Sequence, residues 1–498
     1  MEKAGETDPS GPDYSLKWLV LSAVAMGIFL ATIDSSIVNV ALPTLGEALA
    51  TDFATVQWVV LAYLLTITTL QAVVGRLADM YGRKRLYNAG FVVFTLGSLA
   101  CGLSPTASWL IGFRVVQGVG AALILALGLA IVTEAFPPGE RGRALGIAGS
   151  IVSVGIVTGP TLGGLIIENL SWHWIFFVNV PIGILGTYLV WRNVPSTIPP
   201  GRQAFDFGGA ATLCAAMLGL LLALTNGQQA GFANPQTIGL FVFGLFFLGV
   251  FILIEARHPH PVIDPALFRS RLFRVNLFTG FMVFLGIGGS SILIPFYLEL
   301  VLRYNVQQVG FLLAVMPIAL GITAPISGTL SDRLGTRPIS SLGLAAILAG
   351  FLALATLRTD TTAVGFMMRY VLIGVGIGMF QSPNNVAMMS SAPRERLGVA
   401  SGLLAITRSL GQTVGIAVLG AFWAAMVFRT EGAPVAGGAA AASAAAQTAG
   451  LRAVSLATAA LTALGLVVAL LAWRTERRRP EPLPRPDGGE KPIDIGLH

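Results

Sequence analysis

Long apolar stretches constrain the fold of this chain more than any other feature. Stretches of about 18 or more mostly apolar residues recur along almost the whole sequence, and each is long enough to cross ~30 Å of hydrocarbon as an α-helix. Of the 498 residues, 54% are hydrophobic and only 11% are charged, whereas a soluble domain carries about 25% charged residues. The sequence therefore predicts an all-α polytopic membrane protein.

The hydropathy pattern predicts fourteen transmembrane spans, numbered here in chain order. Their bounds are 18–42, 56–78, 87–103, 109–133, 144–167, 174–191, 207–225, 237–255, 275–298, 308–331, 338–357, 363–382, 397–427 and 451–473. If every span crosses, 24 of the 31 Lys and Arg residues lie on the side of the N-terminus, counting Arg76 at the end of span 2, and four lie on the opposite side. Because Lys and Arg collect in cytoplasmic loops, both termini are predicted to be cytoplasmic and the protein to lie in the cytoplasmic membrane. The net charge of +7 then reflects orientation, and we expect no nucleic-acid partner.

An internal repeat with a period of about 255 residues divides the chain. The stretch "GRLADMYGRK" (75–84) matches "GTLSDRLGTR" (328–337), and "FLATIDSSI" (29–37) aligns with "FLGIGGSSI" (284–292) at nearly the same offset. Several matches at one spacing indicate a duplicated six-helix unit, as in parallel repeats related by an axis along the membrane normal.

The repeat predicts a domain organisation with two extra helices in the middle. A cytoplasmic tail (1–17) precedes the N-terminal repeat (18–191), and a linker (192–274) carries the inserted spans 7 and 8. The C-terminal repeat (275–473) is followed by a basic, Pro-rich cytoplasmic tail (474–498).

Asp34 is a carboxylate deep inside span 1. An acid at bilayer depth costs about 2.5–3.5 kcal/mol and is by default a candidate for function. Its repeat partner is Gly289, so the packing of this helix does not require the acid. Arg114 of span 4 is expected at a similar depth, and Gln117 shares its helix face. Burial favours the protonated carboxyl group whereas a nearby arginine favours the carboxylate, so we predict that Asp34 and Arg114 form a proton-coupling site.

Other interpretations of these two residues stay open at this point. The Asp34 carboxylate would also be accommodated by neighbouring hydroxyl groups or backbone amides in a purely structural role. Arg114 would also be accommodated by extending toward the outer interface. Asn39, Gln117, Arg369 and Arg408 are the candidates for a substrate cavity, and for the last two, pairing with backbone carbonyls is an equal alternative.

Six motifs resemble the major facilitator superfamily, and in particular its fourteen-helix drug:proton antiporters. They are "IDSSIVNVALP" (33–43), "GRLADMYGRKR" (75–85), "LIGFRVVQGVGAA" (110–122), "GIVTGPTLGG" (155–164), "WIFFVNVPIG" (174–183) and "DPALFRSRLF" (264–273). The resemblance covers nearly the whole chain. It implies the major facilitator fold with twelve core helices around a central cavity, alternating access by rocking, and proton-driven export of hydrophobic compounds.

The resemblance also implies a conformational latch, which would close the cytoplasmic side. In it, Asp79 caps a helix of the opposite half and Arg83 binds Glu134. The latch residues are Gly75, Asp79, Gly82, Arg83, Glu134 and Asp332. The alternative for the first loop is a tight, positively charged turn whose bases only set orientation.

The motif in span 5 resembles the antiporter helix of that superfamily. Its residues are Gly155, Gly159, Pro160, Gly163 and Gly164. Glycines four residues apart form a smooth face for close helix packing, and a proline inside a helix removes a backbone donor and bends the helix. We expect this helix to seal the cavity against uncoupled leakage.

The sequence excludes several other classes of energy source and chemistry. It contains no phosphate-binding Gly-x-x-x-x-Gly-Lys-Ser/Thr motif, no His, Cys and Asp cluster suited to a metal, and no nucleophile–base pair. We therefore predict a monomeric, non-enzymatic exporter without cofactor or metal, whose partners are protons, small amphiphilic substrates and the lipid bilayer. The alternatives are export of an endogenous lipid or secondary metabolite, import of a nutrient and, more distantly, a membrane enzyme. An adaptor or outer-membrane channel stays an open question.

Overall fold

The computed structural model describes residues 14–51, 53–196, 206–258, 263, 265–432, 439 and 442–478. Most of both predicted tails therefore lies outside the described residues. The α-helices of the described part are α1 (Lys17–Ala48), α2 (Phe53–Tyr81), α3 (Arg83–Gly102), α4 (Ala107–Ala135), α5 (Arg141–Asn169), α6 (Trp174–Phe177), α7 (Asn179–Asn193), α8 (Phe207–Ala230), α9 (Pro235–Glu255), α10 (Arg271–Phe296), α11 (Val306–Leu334), α12 (Thr336–Leu354), α13 (Ala363–Ser390), α14 (Leu397–Glu431) and α15 (Ala444–Arg478). A π-helical turn, Tyr297–Val301, continues α10. The described fold is all-α, as predicted.

Thirteen helical segments in the described residues are long and apolar enough to cross a membrane. One of them, Trp174–Asn193, is made of α6 and α7 together. The third of the fourteen predicted spans corresponds to α3. This helix is not one of the thirteen apolar segments, because basic and polar residues occupy its first two turns. The prediction of fourteen spans therefore stays open at α3, and so does the orientation of the termini.

Two groups of helices each enclose an apolar core. Helices α1–α5 and α7 pack around one core that includes Phe91 and Phe94, and helices α10–α15 pack around another that includes Phe351 and Phe366. We refer to these groups, with α6 in the first, as the N-half and the C-half.

The repeat is visible in how neighbouring helices approach each other. In the N-half, a methyl group added to Gly120 of α4 would lie 2.8 Å from the carbonyl oxygen of Gly90 in α3. In the C-half, the same addition to Gly376 of α13 would lie 2.9 Å from the carbonyl oxygen of Gly343 in α12. Small residues at such crossings let helix backbones touch in a membrane, so equivalent glycines set equivalent crossings.

Helices α8 and α9, which correspond to the inserted spans 7 and 8, lie at the edge of the two halves. They pack on each other, and α8 also contacts α2 and α14. This contact is apolar and joins Ala72 and Val73 of α2, Leu213 and Met217 of α8, and Ile406 of α14. The inserted pair therefore covers one seam between the halves from outside.

Candidate functional site

Asp34 and Arg114 form a fully buried ion pair between α1 and α4. The Arg114 Nη1 donates to Asp34 Oδ2 at 2.6 Å, and both side chains have no exposed surface. The Arg114 Nε donates to the Val59 carbonyl oxygen of α2 at 2.9 Å. The guanidinium lies 4.0 Å from the centre of the Tyr63 ring, a distance at which a cation is attracted to the ring face.

The second oxygen of Asp34 is held by two amide side chains. Gln117 Nε2 and Asn179 Nδ2 each donate to Asp34 Oδ1 at 2.8 Å. Both amides also donate to Ser98 Oγ at 3.1 Å, and Ser98 in turn donates to the Phe176 carbonyl oxygen at 2.9 Å. This network fixes the position of the Asp34 carboxyl group between α4 and α7.

The sequence predicted that Asp34, Arg114 and Gln117 would lie together, and the structure brings them together. The sequence-based prediction did not include Ser98, Asn179 or Tyr63. Asn179 is the first residue of α7, directly after Val178, which separates α6 from α7. The available signal was an amide inside the apolar stretch "WIFFVNVPIG", since polar side chains inside a membrane seek partners.

Gly289 shows why the C-half carries no second carboxylate at the equivalent place. A side-chain atom added to Gly289 in α10 would overlap the side chain of Leu419 in α14. The two halves therefore differ in packing as well as charge at this position, and the polar network belongs to the N-half alone.

A cavity of about 470 Å³ lies between the halves. Residues of α1, α2, α4 and α5 line it on one side and residues of α13 and α14 on the other. Asn39, one of the candidates from the sequence, lines this cavity, and so do Ser35 and Tyr63; a role in binding substrate stays a prediction. Asp34 does not reach its surface, and Tyr63, whose hydroxyl lies 3.4 Å from the Ala31 carbonyl oxygen, stands between the cavity and the buried pair.

Arg408 of α14 also lines this cavity, which agrees with its predicted location. Its guanidinium lies 5.1 Å from the centre of the Phe284 ring of α10. Within the described residues its Nε has no hydrogen-bond partner.

Two of the predicted cavity residues lie elsewhere. Gln117 belongs to the buried network behind the cavity wall and is not among the lining residues. Arg369 lies in a separate hollow at the connection between α12 and α13 and is not among the residues that line the cavity. There it donates to Thr356 Oγ1 at 3.0 Å and to the Gly365 carbonyl oxygen at 2.6 Å.

Asp79 joins the end of α2 to the start of α14 in the opposite half. Its Oδ1 accepts from the Gly398 backbone amide and its Oδ2 from that of Val399, both at 2.9 Å. The first amides of a helix have no partner inside the helix, and the helix dipole favours a negative charge there. Beside this contact, a side chain on Gly75 would overlap the Gly398 backbone, so glycines let the two helices meet.

Arg83 connects Asp79 to two further elements. Its Nη2 donates to Asp79 Oδ1 at 2.9 Å and to the Arg394 carbonyl oxygen at 2.6 Å, while Nη1 donates to Glu134 Oε2 at 2.7 Å. The contact between Arg83 and Glu134 is the one that the family resemblance implied. Gly82, between α2 and α3, has φ of +94°, a conformation that glycine adopts without strain.

Asp332 repeats the arrangement of Asp79 with the halves exchanged. From the end of α11 it accepts from the backbone amides of Gly142 at 2.8 Å and Arg143 at 2.9 Å, at the start of α5. A side chain on Gly142 would overlap the Gly328 backbone. Two related contacts thus hold the halves together at the same end of the molecule.

The glycines of α5 pack against α1 beside Asp34. Side-chain atoms added to Gly155, Gly159 or Gly163 would overlap Thr32, Ser36 or Ile37, respectively. Ser36 Oγ also lies 3.0 Å from the Gly155 carbonyl oxygen. Gly164 differs from the others, since nothing lies within 4 Å of an added side-chain atom. Pro160 lies inside α5, and its predicted role in sealing the cavity stays a prediction.

Comparison with known proteins identifies the family. A family model described as the Major Facilitator Superfamily matches residues 24–416. The chain belongs to the Major Facilitator Superfamily. The family resemblance is thereby confirmed, and the family and its fold are those of membrane transporters that act on small substrates.

Several curated relatives of this transporter have descriptive names. It is 34% identical over 412 residues to the riboflavin transporter RibZ of Clostridioides difficile (strain 630), covering 82% of this chain and 88% of RibZ. It is 35% identical over 413 residues to the multidrug resistance protein Stp of Mycobacterium tuberculosis (strain ATCC 25618 / H37Rv), covering 83% of this chain and 77% of Stp.

Solved structures of low sequence identity share the fold of this transporter. The proton:xylose symporter XylE matches with a TM-score of 0.65 at 12% identity, over 92% of this chain and 96% of XylE. The human organic anion transporter MFSD10 matches with a TM-score of 0.64 at 15% identity, over 91% of this chain and 99% of MFSD10.

Among the described residues, no group of three His, Cys, Asp or Glu side chains is placed to hold a metal ion.

Proposed function

We propose that this transporter is a proton-coupled exporter of small amphiphilic compounds that works by alternating access in the cytoplasmic membrane. The observation that carries the proposal is the buried pair of Asp34 and Arg114, one layer behind the cavity wall. Relatives named as multidrug resistance proteins support the substrate class. The energy source in this proposal is the proton gradient, with no cofactor, and the acting unit is a monomer.

In the proposed mechanism Asp34 carries the coupling proton. Ser35 and Ser36, next to it on α1, line the cavity, while its carboxylate binds α4 and α7. Protonation removes the charge that attracts Arg114 and converts an acceptor of hydrogen bonds into a donor. The loss of this attraction lets α1 shift against α4, so the protonation of Asp34 and the shape of the cavity depend on each other.

The contacts of Asp79 and Asp332 give the mechanism its second conformational element. They hold the halves together at one end, next to the basic loops that the positive-inside rule assigns to the cytoplasm. In our proposal this is the outward-facing state, and both contacts break when the transporter opens to the cytoplasm. Two-state transitions of this kind depend on contacts that exist in only one state.

Proton release on substrate addition tests the role of Asp34. Purified transporter in weak buffer is mixed with riboflavin or naphthalene-2-sulfonate, and the pH is followed for the wild type, Asp34→Asn and the control Asp360→Asn. Asp360 is an exposed acid between α12 and α13. We expect roughly one proton per transporter from the wild type and the control and none from Asp34→Asn. Undiminished release from Asp34→Asn would assign the coupling proton to another residue.

Transport in everted vesicles tests the coupling itself. Because Asp34→Asn permanently resembles the protonated form, we expect it to lose accumulation driven by a pH gradient while it still exchanges substrate across the membrane. Gradient-driven accumulation equal to that of the wild type would contradict the proposal.

Transport of a metabolite is a second candidate function. The specific observation in its favour is the 34% identity to a protein named as a riboflavin transporter. Reconstituted transporter that moves riboflavin, and excludes naphthalene-2-sulfonate, would favour this candidate over multidrug export.

A further inference from the structure

The charge of the residues that line the central cavity indicates which charge a substrate would have. Arg408 is the one charged side chain among the lining residues that the structure describes, and none of these residues is Asp or Glu. The nearby carboxylate of Asp34 is fully buried behind the wall and bound to Arg114. The cavity therefore presents one positive charge to its contents.

Arg408 is half-buried in the wall of the cavity. Among the described residues, no carboxylate forms a salt bridge with it, and its Nε has no hydrogen-bond partner. Its known contact is the face of Phe284, which orients the guanidinium without neutralising it. A guanidinium that is partly removed from water and has no counter-charge gains from a bound anion, and its several donors form a fork that suits a carboxylate or sulfonate.

The surroundings of Arg408 suit the head group of an amphiphile. Ser409 and Gln412 on the same helix, and Asn385 on α13, also line the cavity. Across the cavity, Ser409 Oγ lies 3.4 Å from Oε1 of Gln71 in α2. Ten of the other 23 lining residues are Leu, Ile or Val, so apolar wall is also available for the rest of an amphiphile.

We propose that Arg408 binds the anionic head group, a carboxylate or sulfonate, of an amphiphilic substrate. This deepens the proposed function and rests on it, since it names the substrate class of the same cavity. The head group would bind the C-half, whereas the coupling proton would bind Asp34 in the N-half. Substrate and proton therefore occupy different sites, and their exclusion acts through conformation. Exchange of one exported monoanion for one imported proton would also move two charges, so the membrane potential would help to drive it.

A cysteine next to Arg408 tests the sign of the cavity charge. In the full-length chain with Cys101→Ala and Cys214→Ala, Gln412→Cys places a thiol one turn from Arg408 on the same helix face. The thiolate attacks a methanethiosulfonate, forms a mixed disulfide and releases methanesulfinate. Rates are compared for the anionic sulfonatoethyl reagent and the cationic trimethylammonioethyl reagent, each divided by its rate with a free thiol.

The expected result is a strong dependence on Arg408 and on no other arginine. A unit charge about 6 Å away in a water-filled cavity changes the ratio of anionic to cationic rates about tenfold, so Arg408→Gln should lower the ratio by that factor. Arg408→Lys should retain most of it. Arg369→Gln, which changes an arginine outside the cavity, is the matched control and should leave the ratio unchanged. A ratio that Arg408→Gln does not change would overturn the proposal.

A second experiment measures how well a bound ligand protects the cysteine of the Gln412→Cys variant from modification. It keeps Arg408 unchanged and therefore applies even if the Arg408 variants fold poorly. Naphthalene-2-sulfonate should slow modification in the Gln412→Cys variant, whereas neutral naphthalene-2-sulfonamide should protect at least tenfold less well. Equal protection by the two probes, or none by the sulfonate, would overturn the proposal. Neither measurement uses a proton gradient, so charge-selective binding without gradient-driven transport would contradict only the proposed function.

Discussion

At the residue scale, Asp34 depends on partners from several helices. Its two oxygens receive hydrogen bonds from Arg114 and Gln117 of α4 and from Asn179 of α7. No surface water is available to replace a lost partner, since both members of the ion pair are fully buried. Removing one charge while leaving the other is therefore more destabilising than removing both.

Arg114→Gln should destabilise the transporter by about 3–5 kcal/mol, because it leaves the Asp34 carboxylate buried without a counter-charge. The double variant Asp34→Asn with Arg114→Gln should recover most of this loss, since it removes both charges. Melting temperatures of wild type, both single variants and the double variant in one detergent would measure the coupling. A double variant no more stable than Arg114→Gln would show that the ion pair is not what stabilises this site.

At the scale of helices, each half caps a helix of the other. Asp79 binds the start of α14 and Asp332 the start of α5. The two contacts differ in one respect, because Asp79 also binds Arg83, which in turn reaches Glu134 and Arg394. The N-half motif therefore joins more elements than its repeat.

Asp79→Asn should slow transport strongly while the protein still inserts and folds, since it weakens a contact that exists in one conformational state. Asp332→Asn should have the same kind of effect but a smaller one, because Asp332 lacks an arginine partner among the described salt bridges. Initial rates at matched expression would compare the two variants. Wild-type rates for Asp79→Asn would refute a latch role.

The packing of α5 on α1 predicts how two alanine variants of the same helix differ in stability. Gly159→Ala should destabilise the transporter by about 1–3 kcal/mol, the usual cost of overpacking, because the new methyl group overlaps Ser36. Gly164→Ala, five residues away in the same helix, should leave the stability unchanged, since nothing lies within 4 Å of the added methyl group. Melting temperatures would measure both, and Ser36→Gly should partly rescue Gly159→Ala. Equal effects of the two alanine variants would contradict this packing.

At the scale of the whole molecule, the halves are joined at one end and separated by the cavity. The contacts of Asp79 and Asp332, with glycines beside them, close that end. The pair α8 and α9 lies outside this arrangement, against α2 and α14. The bias of basic residues predicts that the closed end faces the cytoplasm.

Labelling from outside the cell tests this orientation. Gly139→Cys, between α4 and α5, and Asp360→Cys, between α12 and α13, change exposed residues on predicted opposite sides of the membrane. In a background without Cys101 and Cys214, an impermeant maleimide should label Asp360→Cys in intact cells and Gly139→Cys only after permeabilisation. The reverse pattern would invert the orientation of both termini.

The sequence by itself determined the helices, the repeat and the identity of the central carboxylate. Helix positions follow from local hydropathy, because an apolar stretch of sufficient length can satisfy its backbone in lipid only as a helix or in a closed barrel. Asp34 was identifiable because an acid in such a stretch is costly wherever the helix packs. The motif at 75–84 likewise predicted both partners of the latch through its family resemblance, and the contacts of Asp79 and Arg83 agree.

The tertiary structure alone decided which further polar residues join these sites. Arg369 and Arg408 are both arginines within predicted spans, yet one lies in a hollow at a helix end and the other in the cavity. Likewise, Ser98 and Asn179 meet at Asp34 although they come from α3 and α7. Local sequence sets how apolar a helix is, but the rotation and break of each helix, which depend on packing against all its neighbours, set where a side chain points.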